Sequence, residues 1–402
     1  MHWSYRASVI LASWALLGGL VSAQSAPPAS EDCLACHGEP SMARADGRPV
    51  FVELDAFAQS IHSFLACVDC HTDLAALTDY PHADRLAPVD CAICHDAPSA
   101  LATSVHAAIP ADRGGPTTCT DCHGPPHRIR PSAEPDSPTS HLNIVMTCAQ
   151  CHGDAADPAR RGPTVASMFA DSIHGQALAR TGLIVAPTCT NCHDSHAIVT
   201  RQDPASPVFA TNVAATCGSC HAGIHLEYSD SVHAAELQNG ASAPHCATCH
   251  TAHEIAAPQS DQWQLSAVEE CGTCHREALA TYRDTFHGQV TALGFTPVAR
   301  CTDCHTSHRV LRVTDARSPV SAGNRLATCQ TCHPSATPNF ALYEPHANKD
   351  DPDRLPVLYY AARLMNGLLI AVFGFFGLHT TLWFLRERTG PAAEPDDEAK
   401  DA

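Results

Sequence analysis

Cysteine and histidine are the residues of this chain that can do chemistry, and they occur in one recurring string. All 22 cysteines fall in Cys-x-x-Cys-His, and none is left over. The eleven copies are Cys33–Cys36–His37, Cys67–Cys70–His71, Cys91–Cys94–His95, Cys119–Cys122–His123, Cys148–Cys151–His152, Cys189–Cys192–His193, Cys217–Cys220–His221, Cys246–Cys249–His250, Cys271–Cys274–His275, Cys301–Cys304–His305 and Cys329–Cys332–His333. Two thiols at this spacing can add to the two vinyl groups of one porphyrin, and the adjacent imidazole then reaches its iron. The string is therefore the attachment signature of c-type haem. Paired cysteines also make zinc ribbons and disulfides. Zinc gives no reason for a histidine to follow every pair immediately, and disulfides need no histidine at all. The count predicts eleven covalently attached haems c, each with its motif histidine as proximal ligand.

The remaining histidines recur in register with the motifs, which come in pairs. A lone histidine follows Ser-x or Thr-x between members of a pair: His62, His106, His174, His233 and His287. A second follows the second motif within three or four residues: His127, His196, His253 and His308. The repeat reads CxxCH, S/T-x-His, CxxCH-x(2–3)-His. Its first cysteines (Cys33, Cys91, Cys148, Cys217, Cys271, Cys329) are 54 to 69 residues apart. Five full repeats and a half result, the half ending in His346.

These positions supply ten distal ligands. The first repeat lacks the close-following histidine, and His82 is the expected eleventh. His141, His225 and His245 are spare candidates. Met42, Met146 and Met168 occupy no repeated position, so bis-histidine ligation and low potentials are expected throughout. A histidine three residues past a proximal ligand cannot easily reach the same iron, so it is expected to serve a neighbouring one.

The elements that must position these ligands follow from composition. There are 12 Phe, 7 Tyr and 4 Trp against 30 Pro and 22 Gly. A chain so poor in large apolar side chains cannot close an ordinary core of its size. The expected fold is mainly α with extensive loops, templated by haem, with folding coupled to attachment. The long loop at 128–141 is the candidate lobe boundary.

Both ends carry membrane signals. Arg6, the apolar run 7–21 and Val21-Ser22-Ala23 read as a signal peptide over residues 1–23. The multihaem domain is assigned to residues 24–355. Met365–Leu385 is apolar and long enough to span a bilayer, within an anchor at 356–388. Tyr359 and Tyr360 precede it, and Arg386 and Arg388 follow. Positive residues on the inside put the motifs in the periplasm and the acidic tail 389–402 in the cytoplasm of a bacterium. A small-residue stripe (Gly367, Ala371, Gly374, Leu378, Thr381) suits helix packing, and His379 within the span is a candidate for a shared b haem or a quinol site. The net charge of −18 disfavours nucleic acid and suits basic redox partners.

The paired motifs, the DSIHG and RDTFHG strings at 171–175 and 283–288 and the CHxxH endings resemble the doubled-CXXCH class of multihaem cytochromes c. That class includes the cytochrome c3-like and decahaem conduit families. The resemblance covers residues 31–346. It implies short helices and loops around an ordered haem chain that passes electrons between proteins. The expected function is a membrane-anchored undecahaem relay, drawing electrons from the quinone pool or a membrane oxidoreductase and delivering them to periplasmic redox proteins. The expected membrane partner is a quinol-oxidising or cytochrome b-type subunit. The alternative is a multihaem reductase or hydroxylamine-oxidising type of enzyme, which needs one haem with an open coordination site.

Overall fold

The computed structural model describes residues 27–389 except 45 and 155–161. The predicted signal segment and nearly all of the predicted tail lie outside the described residues. About half of the chain is helical. Among the described residues there is no strand, only an isolated bridge between Ala43 and Pro49. The mainly α, loop-rich expectation holds.

Most helices are short, and several are built around a motif. In Cys119–His123, Cys189–His193, Cys246–His250 and Cys301–His305 the whole Cys-x-x-Cys-His string is one helical turn. The residue before the second cysteine caps that turn. Asp69, Asp121, Asn191 and Asp303 accept the backbone N–H of Ala66, Thr118, Thr188 and Arg300 at 2.7, 2.6, 2.8 and 2.8 Å. Side-chain capping of an otherwise orphaned N–H fixes where the turn begins, and with it the direction of its histidine.

The turn then stops abruptly. Asp194, Thr251 and Thr306, each directly after a motif histidine, have φ of 70°, 62° and 65° with ψ of 172°, 174° and 164°. Gly124 holds the equivalent position at φ 81°. This region is essentially glycine's own and costs other residues about 1–3 kcal/mol. The strain bends the chain sharply between the motif histidine and the one that follows it.

The chain divides into two compact units, one of Met1–Ser167 with Ala177–Pro207, the other of Met168–Gln176 with Val208–Ala402. Residues 128–141 lie within the first. Motifs one to six belong to the first unit and motifs seven to eleven to the second.

The protein's own apolar interior is thin. Among the described residues its ten buried hydrophobics include one aromatic, Tyr282, and six are Ala or Val, at positions 68, 186, 213, 214, 234 and 268. Buried serines and threonines outnumber them.

Pro356–Thr389 is a single 34-residue helix with no buried residue and mean hydropathy 1.9 over its most apolar window. It is long and apolar enough to cross a membrane. It contains the predicted span 365–385. His379 stacks on Phe375 one turn earlier, with ring centres 6.3 Å apart.

Candidate functional site

Histidines from distant parts of the sequence meet in pairs. Each pair joins one motif histidine to one of those predicted as distal ligands. In the first compact unit the pairs are His37–His82 at 5.9 Å between ring centres, His62–His95 at 5.9 Å, His71–His127 at 6.3 Å, His106–His152 at 6.1 Å and His123–His196 at 6.1 Å. In the second they are His174–His221 at 6.2 Å, His233–His275 at 6.2 Å, His250–His308 at 6.2 Å, His287–His333 at 6.0 Å and His305–His346 at 6.3 Å. His193 and His253 are the two predicted ligands outside these ten pairs. His193 ends its motif helix, and burial lowers the His253 pKa.

The spacing identifies what could lie between the rings. Rings packed directly on each other spread over about 4.5–7 Å, with separation depending on tilt. These ten stay within 5.9–6.3 Å while their interplanar angles run from 7° (His37–His82) to 64° (His62–His95). A separation indifferent to tilt is that of two imidazoles on opposite sides of one metal. A metal–nitrogen bond of about 2.0 Å plus about 1.1 Å from nitrogen to ring centre, taken twice, gives about 6.2 Å. The residues fit haem iron with two axial histidines.

The second ring nitrogens are consistent with this. His37 Nδ1 lies 2.7 Å from the Val50 carbonyl oxygen, His82 Nδ1 2.8 Å from that of Ala83, and His346 Nδ1 3.1 Å from Thr281 Oγ1. An imidazole engaged through Nδ1 offers Nε2 to a metal in a fixed orientation. Burial, with the facing imidazole as a smaller cause, lowers the pKa of His106, His123, His127, His174, His233, His250, His287 and His305. Neutral imidazole is the form that binds metal.

None of the 22 cysteines forms a disulfide. They fall into two alternating kinds of neighbour. Within a repeat the first cysteines of the two motifs are neighbours: Cys33 and Cys67, Cys91 and Cys119, Cys148 and Cys189, Cys217 and Cys246, and Cys271 and Cys301. Between repeats the second cysteines are neighbours: burial first, and the facing cysteine as a smaller cause, raise the pKa of Cys70 beside Cys94, Cys122 beside Cys151, Cys249 beside Cys274 and Cys304 beside Cys332. Inside each compact unit the motifs therefore neighbour one another in sequence order. Among the described residues no three His, Cys, Asp or Glu side chains gather as a bare metal ion would require, so a zinc-ribbon arrangement is not formed there.

Partners are exchanged between repeats. A first-motif histidine meets the lone histidine of the preceding repeat (His95 with His62, His275 with His233). A second-motif histidine meets the close-following histidine of the next (His71 with His127, His250 with His308). A backbone bond registers the two. The residue before the lone histidine donates its N–H to the carbonyl two residues past the close-following one: Ile61 to Ile129 at 2.9 Å, and Val105 to Ile198, Ile173 to Ile255 and Val232 to Val310 at 2.8 Å. The serine of each S-x-His string is buried beside this latch. Ser60 and Ser104 also donate to the Ile129 and Ile198 carbonyls, at 3.2 and 3.0 Å.

The spare histidines do other work. His141 Nε2 bonds the Ala186 carbonyl at 2.8 Å, His225 packs against Gly218, and His245 precedes the Cys246 turn with its N–H on Thr248 at 3.2 Å. One positioning device went unread in the sequence. The string S-P-x4-N-x3-T-C precedes Cys148, Cys217 and Cys329. Its Thr147 and Thr328 hydroxyls donate to the Pro138 and Pro319 carbonyls at 2.7 Å, and Asn143 and Asn324 donate to the Ser137 and Ser318 carbonyls at 2.9 and 3.0 Å. Its recurrence every repeat or two was the available signal. No protein-family model, curated protein or solved structure matches this chain.

Proposed function

We propose that this chain is a membrane-anchored undecahaem cytochrome c that relays electrons in the bacterial periplasm. Ten motif histidines, each facing a second histidine at 5.9–6.3 Å whatever the tilt of the rings, carry this proposal. The 22 cysteine thiols would hold eleven haems by thioether bonds, and the paired imidazoles would hold each iron from both faces. Bound haem iron would supply a one-electron couple, and two imidazole ligands would keep its potential low.

The residues then have separable tasks. The capped Cys-x-x-Cys turns orient the motif histidines, and the strained residues after them send the following histidine to a neighbour. The latches keep consecutive sites in register, and thiol pairs within and between repeats bring consecutive sites close enough for electron hopping. No side chain need act as acid, base or nucleophile. The helix Pro356–Thr389 would anchor the chain in the cytoplasmic membrane as a single pass with the motifs outside. There it would meet a quinol-oxidising or cytochrome b-type subunit, with His379 and the small-residue stripe at the contact. The acidic exterior suits basic periplasmic redox proteins as acceptors.

The test is haem quantitation by pyridine haemochrome and intact mass on the detergent-extracted protein, followed by EPR of the oxidised form. Eleven haems per chain with low-spin signals are expected. A mass without covalent haem would overturn the proposal. Quinol-dependent reduction in membranes, absent once the anchor is deleted, would establish the electron source.

A further inference from the structure

Resting on the haem reading above, we infer that the Cys33–Cys36–His37 site is a ligand-exchange site. His82 is a detachable sixth ligand, and its departure admits a small uncharged π-acceptor molecule of the carbon monoxide type.

The repeat register explains why this site differs. Every other first-motif histidine draws its partner from the preceding repeat: His95 from His62, His152 from His106, His221 from His174, His275 from His233 and His333 from His287. Motif one has no predecessor, so His37 takes His82 from beyond the second motif of its own repeat. The partner is therefore held by local structure rather than by the array.

That local structure is slight. The lone histidines follow a hydroxyl residue that is nearly inaccessible (Ser60 4%, Ser104 3%, Ser172 1%, Ser231 3%, Thr285 8%), and four of them are latched by a backbone bond. His82 lies in the helix-free stretch 78–90, between exposed Pro81 and Ala83 and close to Tyr80, 52% exposed. Its Nδ1 bonds the carbonyl of Ala83, the next residue, which travels with it. The stretch is tied back by the Ala87 N–H to Asp73 Oδ2 at 2.8 Å, five residues further on and at the surface. His82 can leave without breaking any bond that another site needs.

The exchange is balanced without a redox step. The bond from ferrous iron to His82 Nε2 breaks, the iron–carbon bond forms, and the imidazole departs neutral with Nδ1–H still on Ala83. The His37 bond and both thioethers remain.

The experiment uses the full-length holoprotein in detergent, reduced with dithionite and exposed to carbon monoxide. Haem is quantified on the same sample, so failure of the haem reading shows as missing haem and not as missing carbon monoxide uptake. The wild type should bind one carbon monoxide per eleven haems. Asp73→Asn, which weakens the tie and leaves His82 in place, should speed uptake about threefold to tenfold, the equivalent of one lost hydrogen bond. His82→Ala should abolish the rate-limiting dissociation while keeping a stoichiometry of one. A fully haem-loaded wild type that takes up none, or uptake whose rate neither variant changes, overturns the inference.

Discussion

The two ends of the histidine array solve the same problem differently. At the N-terminal end His37 lacks a preceding repeat, and at the C-terminal end the half repeat after His305 lacks a second motif and its close-following histidine. His82 and His346 fill the two gaps. His346 is anchored by Thr281 Oγ1, and its segment by Lys349 on Asp284 at 2.7 Å and Asn348 on Glu277 at 3.3 Å, all on the helix Arg276–Asp284. Ten residues later the long apolar helix Pro356–Thr389 begins. His82 has one bond, to its own neighbour. Repeat arrays need terminal caps because each interior position is completed by its neighbours. Here one cap is built into the segment that leads to the long apolar helix and the other is an exposed loop. The ring geometry is alike at both ends, so position alone does not reveal how firmly a ligand is held.

Substitutions can break or sharpen that contrast, beginning with an interior reference. His106→Ala removes a latched ligand that joins two repeats, and an apparent loss of about 3–5 kcal/mol in denaturant unfolding followed at the Soret band is expected. His346→Ala should cost less, about 2 kcal/mol, and release the segment that leads to the long apolar helix to limited proteolysis. A proteolytic pattern unchanged from wild type would contradict a firm C-terminal cap. Ser104→Ala deletes the hydroxyl that bonds the Ile198 carbonyl and accepts the His106 N–H at 3.2 Å, and about 1–2 kcal/mol is expected. Lys349→Ala breaks an exposed ion pair, so less than about 1 kcal/mol should be lost, with the difference vanishing in high salt. His82→Ala should change unfolding least, within about 0.5 kcal/mol, yet add a high-spin EPR signal from one iron in eleven. A global destabilisation there would show that the loop is part of the body after all.

Much of this was legible in the residues because the chemistry is local. Cys-x-x-Cys-His names both thiols and the first ligand within five positions, and the recurrence of S-x-His and CHxxH names eight of the ten histidines that the structure sets against a motif histidine, all but His82 and His346. The loop-rich helical class followed from the scarcity of Phe, Tyr and Trp. Which histidine meets which was not legible, because every partner beyond motif one comes from another repeat and the latch that sets the register is a backbone bond with no sequence signal. Asp194, Thr251 and Thr306 were equally silent. Nothing in an aspartate or threonine announces a left-handed backbone, and Gly124 at the equivalent position was the one clue.

The exchange of partners between repeats also sets a timetable. On the proposed periplasmic location, a chain exported N-terminus first would deliver His62 before His95 and His233 before His275. His71, His123 and His250 wait about one repeat for His127, His196 and His308. At any moment of translocation the newest second-motif site is half-built, while the first-motif site behind it closes as soon as its own string emerges. Export intermediates trapped by a stalled C-terminal fusion beyond the first repeat should therefore carry their unfinished site at the trailing edge, and of the second kind.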